Sequence, residues 1–269
     1  MYLILNAECD SIPTQVKSLV SAGNVLLNLF TALGYDPEDP PLADLLRRMH
    51  GLEGDWLILS PIHWQVTHND ALIVAIGKEL RLDESTSKSW FTFFAKYLRE
   101  EEMTLYYHNA ETWLLHDPKQ HPLQSKPAYY LLSRSLMPEL AQMDSTLFWQ
   151  KFITESQMLL ASKVNDSDMN GLWPWGNAKL TEPKKISICA DETLFSIAQL
   201  CSTKACLYDP SIKIKEQQIL LINDLSVLST SHQDELKKLN AHWYWNNVAY
   251  TSVNSNWFTR LWRKLTYAY

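Results

Sequence analysis

Two histidines and an aspartate lie close together in the segment "SPIHWQVTHND". His63, His68 and Asp70 are residue types that bind divalent metals, and a bound metal could activate water or polarise a phosphoryl group. His63 and His68 are five residues apart, so an extended strand directs them to opposite faces unless it bends. The alternative is structural: His63 belongs to a strand end beside a buried Trp64.

A second imidazole and carboxylate pair follows in "HDPKQHP", where His116 and Asp117 precede His121 in a loop between Pro118 and Pro122. Proline-bracketed polar loops are usually solvated turns. If this pair converged with the first three residues, the five side chains would form a site for a metal such as Mn or Zn. Our main prediction is that the protein has no cofactor, and the metal is the alternative.

Glu155 lies between Phe152 and Met158, near the apolar seam of a predicted amphipathic helix at 145–164. A partly buried carboxylate requires a partner, and Arg134 is the residue we predict. The pair is either a structural ion pair or part of an anion site.

The segment "MNGLWPWGNAKL" contains two glycines and two tryptophans. It is either a ligand slot or a strand that fills the core. We favour the second interpretation, in which Trp173 and Trp175 are buried and Gly176 lets the chain turn. If the chain has a ligand site, the residues we predict for it are His63, Arg134, Glu155, Asn165, Trp175 and Gly176.

Composition argues against several functions. The chain has 269 residues, a net charge of −6 and seven glycines. A general nucleic-acid-binding protein needs a basic surface, so we expect no nucleic-acid partner. The sequence contains neither a GxGxxG nor a GxxxxGK[ST] motif, which argues against the common nucleotide-binding loops. Its four cysteines include no CxxC pair, and no GxSxG motif marks a nucleophile.

The opening "MYLILNAECD" lacks the basic region of a signal peptide, and no apolar run approaches 18 residues. We therefore expect a cytoplasmic protein without a transmembrane segment, whose partner is an unknown small molecule or protein. The aromatic and basic tail "NWFTRLWRKL" could contact an anionic membrane, but a docking helix at 256–265 is the favoured interpretation.

Strand-like and helix-like segments alternate from about 147 to 253, a pattern typical of an α/β protein with a partly parallel sheet. The segment 14–33 has helical periodicity, with a break or cap near Gly23 and Asn24. Asp83 or Ser85 is predicted to cap the next long helix. The segment 103–117 predicts an antiparallel hairpin. We predict one domain over 1–269, with a hairpin subdomain at about 103–135.

Several segments read together resemble the RpfE-type regulatory proteins of proteobacteria, which are often described as cofactor-independent phosphoglycerate mutase-like. The resemblance covers about residues 55 to 265 and rests on the order of "DWLILSPIHWQV", "LDESTSKSWFTFF", "LYYHNAETWLL", "YYLLSRSL", "FWQKFITESQMLLASKVND", "MNGLWPWGNAKL", "CADETLFSIAQLC", "INDL" and "WFTRLWRKL". The chain departs from the family pattern at "SRS", where relatives have "GRN".

This family in turn resembles the alkaline phosphatase superfamily. The resemblance implies a three-layer α/β/α sandwich with a mostly parallel central sheet and a small antiparallel hairpin insertion. Active mutases carry an Asp-Gly pair after the first strand and scattered Asp and His ligands for two metals. Here the first strand continues into "NAECDSIPT", which has no Asp-Gly pair. The resemblance therefore implies a catalytically degenerate, regulatory or binding protein. The alternative is a metal-dependent phosphomutase or phosphatase with a rearranged site.

Overall fold

The computed structural model describes residues 1–13, 16–162 and 168–252. The strands in chain order are β1 (Tyr2–Leu5), β2 (Val16–Leu19), β3 (Leu57–Val66), β4 (Ala71–Ile76), β5 (Thr104–Asn109), β6 (Thr112–His116), β7 (Gly171–Trp175), β8 (Lys184–Ala190), β9 (Ser202–Leu207), β10 (Ile219–Ile222), β11 (His242–Tyr244) and β12 (Ala249–Ser252). The α-helices are α1 (Val25–Leu33), α2 (Leu42–Met49), α3 (Glu84–Glu100), α4 (Ala128–Leu131), α5 (Met137–Gln142), α6 (Phe148–Ala161), α7 (Phe195–Cys201) and α8 (Thr230–Leu236).

Backbone contacts divide the chain into two compact units. Unit 1 consists of Met1–Gly34 together with the described residues from Thr181 onward, and unit 2 is Tyr35–Leu180. The single domain that we predicted over 1–269 stays a prediction.

Unit 1 contains a seven-stranded sheet in the order β2-β12-β11-β1-β10-β8-β9. The five strands from β11 to β9 are parallel, whereas β12 and β2 are antiparallel to their neighbours. Strand β1 lies between two parallel partners, and Leu3, Ile4 and Leu5 are fully buried. Their continuous apolar run is typical of a parallel strand covered on both faces. The predicted mixed α/β class, with a mostly parallel sheet, is confirmed in this unit.

The start of unit 1 differs in part from the sequence prediction. Asn24 caps α1 as predicted, because its side-chain oxygen accepts hydrogen bonds from the backbone N–H groups of Leu26 and Leu27. The helix ends at Gly34, whose φ of 77° is in the left-handed region. Residues 16–19, which have helical periodicity, instead form β2 and pair with β12. Strand pairing with a segment distant in sequence overrides this weak local preference.

Unit 2 contains a five-stranded antiparallel sheet in the order β4-β3-β6-β5, with β7 also paired to β3. The predicted hairpin is confirmed as β5 and β6. The antiparallel part is nevertheless larger than the small hairpin insertion that we expected. Its centre is the ten-residue strand β3, which pairs with β4, β6 and β7 and so recruits segments far from the hairpin.

The core of unit 2 is rich in large aromatic side chains. Trp113, Trp149, Trp173 and Phe94 are each essentially inaccessible to solvent. Helix α3 contributes Phe94 from its buried face and is capped by Asp83, whose carboxylate accepts the backbone N–H of Thr86. The predicted cap is thus confirmed. Burial of such large side chains supplies much of the hydrophobic driving force for this unit.

Among the residues that the structure describes, none belongs to a helix long and apolar enough to cross a membrane. The predicted docking helix at 256–265 and the candidate ligand residue Asn165 lie outside the described residues.

Candidate functional site

The first predicted group lies at the end of unit 2 where β3 turns into β4. The His63 ring is half-buried, and its Nδ1 atom is paired with the backbone carbonyl of Asp168. His68 is exposed in the turn and contacts the side chain of Asn69. The carboxylate of Asp70 accepts a hydrogen bond from the Ser135 hydroxyl, at 2.6 Å. Each side chain therefore has a separate local role.

His116 and Asp117 lie near the opposite end of β3. The His116 ring is 5.3 Å from that of Trp56, which directly precedes β3. His63 follows Trp56 by seven residues, a separation of about 23 Å along an extended strand. The five residues of the metal alternative thus do not share one site. The described residues contain no group of three or more His, Cys, Asp or Glu side chains that could hold a metal ion.

The predicted pair between Glu155 and Arg134 does not form. Glu155 instead accepts a hydrogen bond from the Tyr97 hydroxyl at 3.0 Å and faces Lys151 at 3.6 Å, one helical turn away. Arg134 is exposed and lies over the ring of Tyr130, 4.2 Å from its centroid. The prediction was wrong because a nearby cation and a phenol already satisfy a carboxylate that is only half-buried.

Trp175 and Gly176 occupy the core of unit 2. Strand β7 is buried along its whole length, and the Trp175 indole donates to the Ser60 hydroxyl at 2.9 Å. Gly176 directly follows β7 and has a φ of 96°, a value that favours glycine. The interpretation of "WPW" as part of a core strand is confirmed, and the strand ends before Gly176.

A chain of polar side chains crosses the carboxyl edge of the parallel strands in unit 1. Asn6 follows β1, Asn223 follows β10 and Asn246 closely follows β11. Asn246 donates to Asn6 at 3.4 Å, Asn6 donates to Asn223 at 3.0 Å, and Asn223 donates to the Thr193 hydroxyl. This edge is where open α/β sheets usually bind ligands. We call these residues, together with Asp191, the amide edge.

Asp191 ends the amide edge after β8 and is 5% exposed. One carboxylate oxygen accepts the backbone N–H groups of Thr193 and Leu194 and the Thr193 hydroxyl, while the other accepts the N–H of Asn223 at 2.5 Å. Helix α7 begins only at Phe195. Asp191 therefore caps the turn that precedes the helix and is not the N-cap residue of α7. Its oxygens are committed to holding β8 and β10 in register.

An imidazole pair in unit 2 was not foreseen from the sequence. The Nε2 atom of His50 is 3.0 Å from the Nδ1 atom of His108, and the Tyr106 hydroxyl is 3.2 Å from the other nitrogen of His50. Burial lowers the pKa of both histidines, and the charge of His50 lowers the pKa of His108 further. The two residues are 58 positions apart, so no local pattern could have paired them.

We predict that this pair makes the stability of the protein depend on pH. Because the pKa values of His50 and His108 are lower in the folded chain, the unfolded chain binds more protons as pH falls below about 6.5. The native protein should therefore lose stability between pH 7.5 and 5.5. His108→Gln should show a smaller loss, as measured by urea unfolding at both pH values. His68→Gln, which removes an exposed imidazole, is the control, and an unchanged pH dependence in His108→Gln would contradict the prediction.

Both cavities described in unit 2 lie near His116 and Asp117. His116 lines a cavity of about 500 Å³ with Arg47, Arg48 and Lys179, and Asp117 lines an adjoining cavity of about 280 Å³. We did not anticipate the three cationic residues. The Arg47-Arg48 dipeptide on a short amphipathic helix was a usable signal, whereas nothing near Lys179 indicated its place.

The fold and these sites define a mixed α/β protein with one mostly parallel and one antiparallel sheet. Comparisons of the chain with protein-family models, with curated proteins and with solved structures found no match.

Proposed function

We propose that this chain is a phosphoglycerate mutase-like protein of the RpfE type that has lost two-metal phosphoryl transfer and has a regulatory or binding role. The observation that carries this proposal is the chemistry of the amide edge. Three asparagines and a threonine occupy the edge of the parallel sheet, where the resemblance leads us to seek the metal ligands of an active mutase.

A two-metal centre does not fit this edge. Such a centre needs several carboxylates and imidazoles with free lone pairs converging on two ions. The Asn6, Asn223 and Asn246 amides are neutral and bonded along the edge. Asp191 has both oxygens occupied by N–H and O–H donors, and Asp224 accepts the backbone N–H of Ser226 at the turn after β10. We therefore derive no catalytic step through a metal.

The proposal includes a three-layer α/β/α arrangement of unit 1. Its support is the alternation of parallel strands with helices, as in β8-α7-β9, since right-handed crossovers usually place such helices against the sheet. We also propose a cytoplasmic location with an unidentified small molecule or protein as the partner. Four free cysteines, two of them buried, agree with a reducing compartment.

The test is metal analysis of the purified native protein, followed by hydrolysis assays on p-nitrophenyl phosphate with Mn²⁺ or Zn²⁺. We expect no stoichiometric metal and no turnover above the buffer rate. Tightly bound metal accompanied by metal-dependent turnover would contradict the proposal.

Asp191→Asn supplies the matched variant. If Asp191 is structural, this change should lower the unfolding midpoint and leave the hydrolysis rate at the background value of the native protein. A native activity that Asp191→Asn abolishes, while circular dichroism shows a folded protein, would instead make Asp191 part of catalytic machinery.

A further inference from the structure

Unit 2 contains a cleft that the amide edge and the mutase resemblance do not explain. It consists of the two adjoining cavities of about 500 and 280 Å³, which share Asp55, Gln120 and Lys179 in their lining. We call it the arginine cleft, because Arg47 and Arg48 line the larger cavity. The larger volume alone falls within the usual range for small-molecule sites.

The basic wall of the arginine cleft is held in place by a buried carboxylate. Asp44 is 4% exposed and accepts the backbone N–H of Leu180 at 3.1 Å. Its two oxygens contact Arg47 Nε at 2.8 Å and Arg48 Nη2 at 2.9 Å. The arginines also donate to the backbone carbonyls of Leu52 and Leu180. Both guanidinium groups are therefore oriented before any ligand arrives, which lowers the entropic cost of binding.

The same contacts leave hydrogen-bond donors free. In the described part of the chain, Arg47 Nη2 and both Nε and Nη1 of Arg48 have no hydrogen-bond partner. Carboxylate and phosphate oxygens are the acceptors with which such charged donors form their strongest hydrogen bonds.

The charge of the larger cavity is positive. Arg47, Arg48 and Lys179 outnumber the lining carboxylates of Asp44 and Asp55 by one charge. Burial alone would raise the pKa of Asp44, but hydrogen bonds from Arg47 and the Leu180 N–H, with both arginine charges, bring it below its ordinary value. Asp44 therefore stays ionised and cannot neutralise both arginines, so an anion is the complementary ligand.

His116 completes this wall through a close approach to a glycine. A Cβ atom at Gly54 would lie 2.9 Å from Cε1 of His116, and the φ of Gly54 is +80°. Only glycine therefore fits without strain. The backbone carbonyl of Asp55, 2.8 Å from Nδ1, also holds the ring in place.

The smaller cavity has a different character. Trp56, Leu57, Pro122 and Leu123 provide apolar surface in its lining. His121 lies in the same lining with its Nδ1 atom 2.8 Å from the Asp117 carboxylate and its ring stacked on Phe148 at 3.7 Å. This cavity would accept an apolar body, with a polar group opposite the imidazole.

We propose that the arginine cleft binds a small organic anion, with a carboxylate or phosphate at Arg47 and Arg48 and an apolar body beside Trp56. This site goes beyond the proposed function, because it lies in unit 2 and requires neither metal nor phosphoryl transfer. If the mutase-like interpretation is wrong, the proposal of an anion site in unit 2 is unaffected.

Isothermal titration of the native protein with phenyl phosphate, benzoate and inorganic phosphate tests the proposal. We expect phenyl phosphate or benzoate to bind, and phenyl phosphate to bind more tightly than inorganic phosphate because its ring reaches the apolar cavity. Saturable binding of either aromatic anion supports a site for an anionic group joined to an apolar body. The relative affinities of phenyl phosphate and benzoate then show whether phosphate or carboxylate is preferred. Failure of the native protein to bind either aromatic anion would overturn the proposal. Saturable binding of inorganic phosphate that is as tight as the binding of phenyl phosphate would also overturn it.

Arg47→Gln should weaken the binding of the preferred aromatic anion by roughly tenfold or more, because a charge-assisted hydrogen bond is lost. Lys179→Gln should weaken it several-fold, and this side chain is 55% exposed, so this variant serves if Arg47→Gln does not fold. Lys151→Gln, which removes an exposed lysine of α6 outside the cleft lining, is the matched control. If folded Arg47→Gln and Lys179→Gln keep the native affinity, the anion does not bind in the arginine cleft. The same conclusion follows if Lys151→Gln loses as much affinity as they do.

Discussion

Replacing Trp173 with alanine is expected to cost about 3–5 kcal/mol of unfolding free energy. Trp173 is fully buried at the centre of β7, and its indole N–H donates to the backbone carbonyl of Lys126 at 2.9 Å. The substitution would create a large cavity and also leave that carbonyl with only the longer 3.4 Å hydrogen bond from the Ser125 hydroxyl. Since a domain is usually stable by about 5–15 kcal/mol, the variant should unfold at a much lower urea concentration.

Two variants show whether the loss arises from packing at Trp173. Trp173→Phe keeps a ring in the core and loses only the hydrogen bond and part of the volume, so its cost should be smaller. Leu147→Ala shortens a side chain that is 65% exposed and should change stability little. A Trp173→Ala protein as stable as the native chain would mean that β7 is not a core strand.

Asp144→Ala should have the second largest effect, about 2–3 kcal/mol, because this carboxylate organises the start of α6. Asp144 is 7% exposed. Its oxygens accept the backbone N–H groups of Thr146, Phe148 and Trp149 and the Thr146 hydroxyl, at 2.8 to 3.1 Å. Removing them leaves the N–H of Trp149 buried without an acceptor. Equilibrium urea unfolding measures the loss.

Asp144 should also make the stability of the protein depend on pH. Burial alone would raise the pKa of Asp144, but hydrogen bonds from the Thr146 hydroxyl and from the backbone of Trp149, Phe148 and Thr146 outweigh it and lower the pKa. The stabilisation is therefore present above the unfolded-state value of about 3.9, and it is lost as pH falls through the lower folded-state value.

Asp144→Asn is the matched variant, because it keeps one acceptor oxygen and removes the charge. At pH 7 it should lose unfolding free energy relative to the native chain, but less than Asp144→Ala loses. Its difference from the native chain should narrow below about pH 4, because the Asp144 carboxylate takes up a proton there in the unfolded chain and only at lower pH in the native chain. A difference that stays constant down to pH 2 would show that the charge of Asp144 contributes nothing.

The positions of the polar residues separate the two proposals. The amide edge belongs to unit 1, and the proposal that rests on it concerns the neutral amides and the bonded carboxylate of Asp191 at the ends of the parallel strands. The arginine cleft belongs to unit 2 and concerns what the antiparallel unit offers, namely two guanidinium groups fixed by Asp44 beside an apolar cavity. The metal assay and the anion titration can therefore give independent answers.

Local sequence patterns were sufficient for several elements. The Asp83 and Asn24 caps, the hairpin formed by β5 and β6, and the burial of Trp173 and Trp175 were all predictable. Each depends on hydrogen bonds or periodicities among residues a few positions apart, or on the strong preference of a large aromatic side chain for the core.

The candidate sites, in contrast, depended on tertiary structure. His116 meets Asp55 across 61 positions, Asp44 meets Leu180 across 136, and Asn6 meets Asn223 across 217. No periodicity in the chain encodes such contacts, because they exist only after strands from distant segments have paired. The sequence by itself determined the mixed α/β class and the aromatic core, since these follow from hydrophobic patterns and local hydrogen bonds. Only the tertiary structure decided which polar side chains face a cavity and which are already hydrogen-bonded to neighbouring residues. Both outcomes depend on the register of β3 and of the parallel strands.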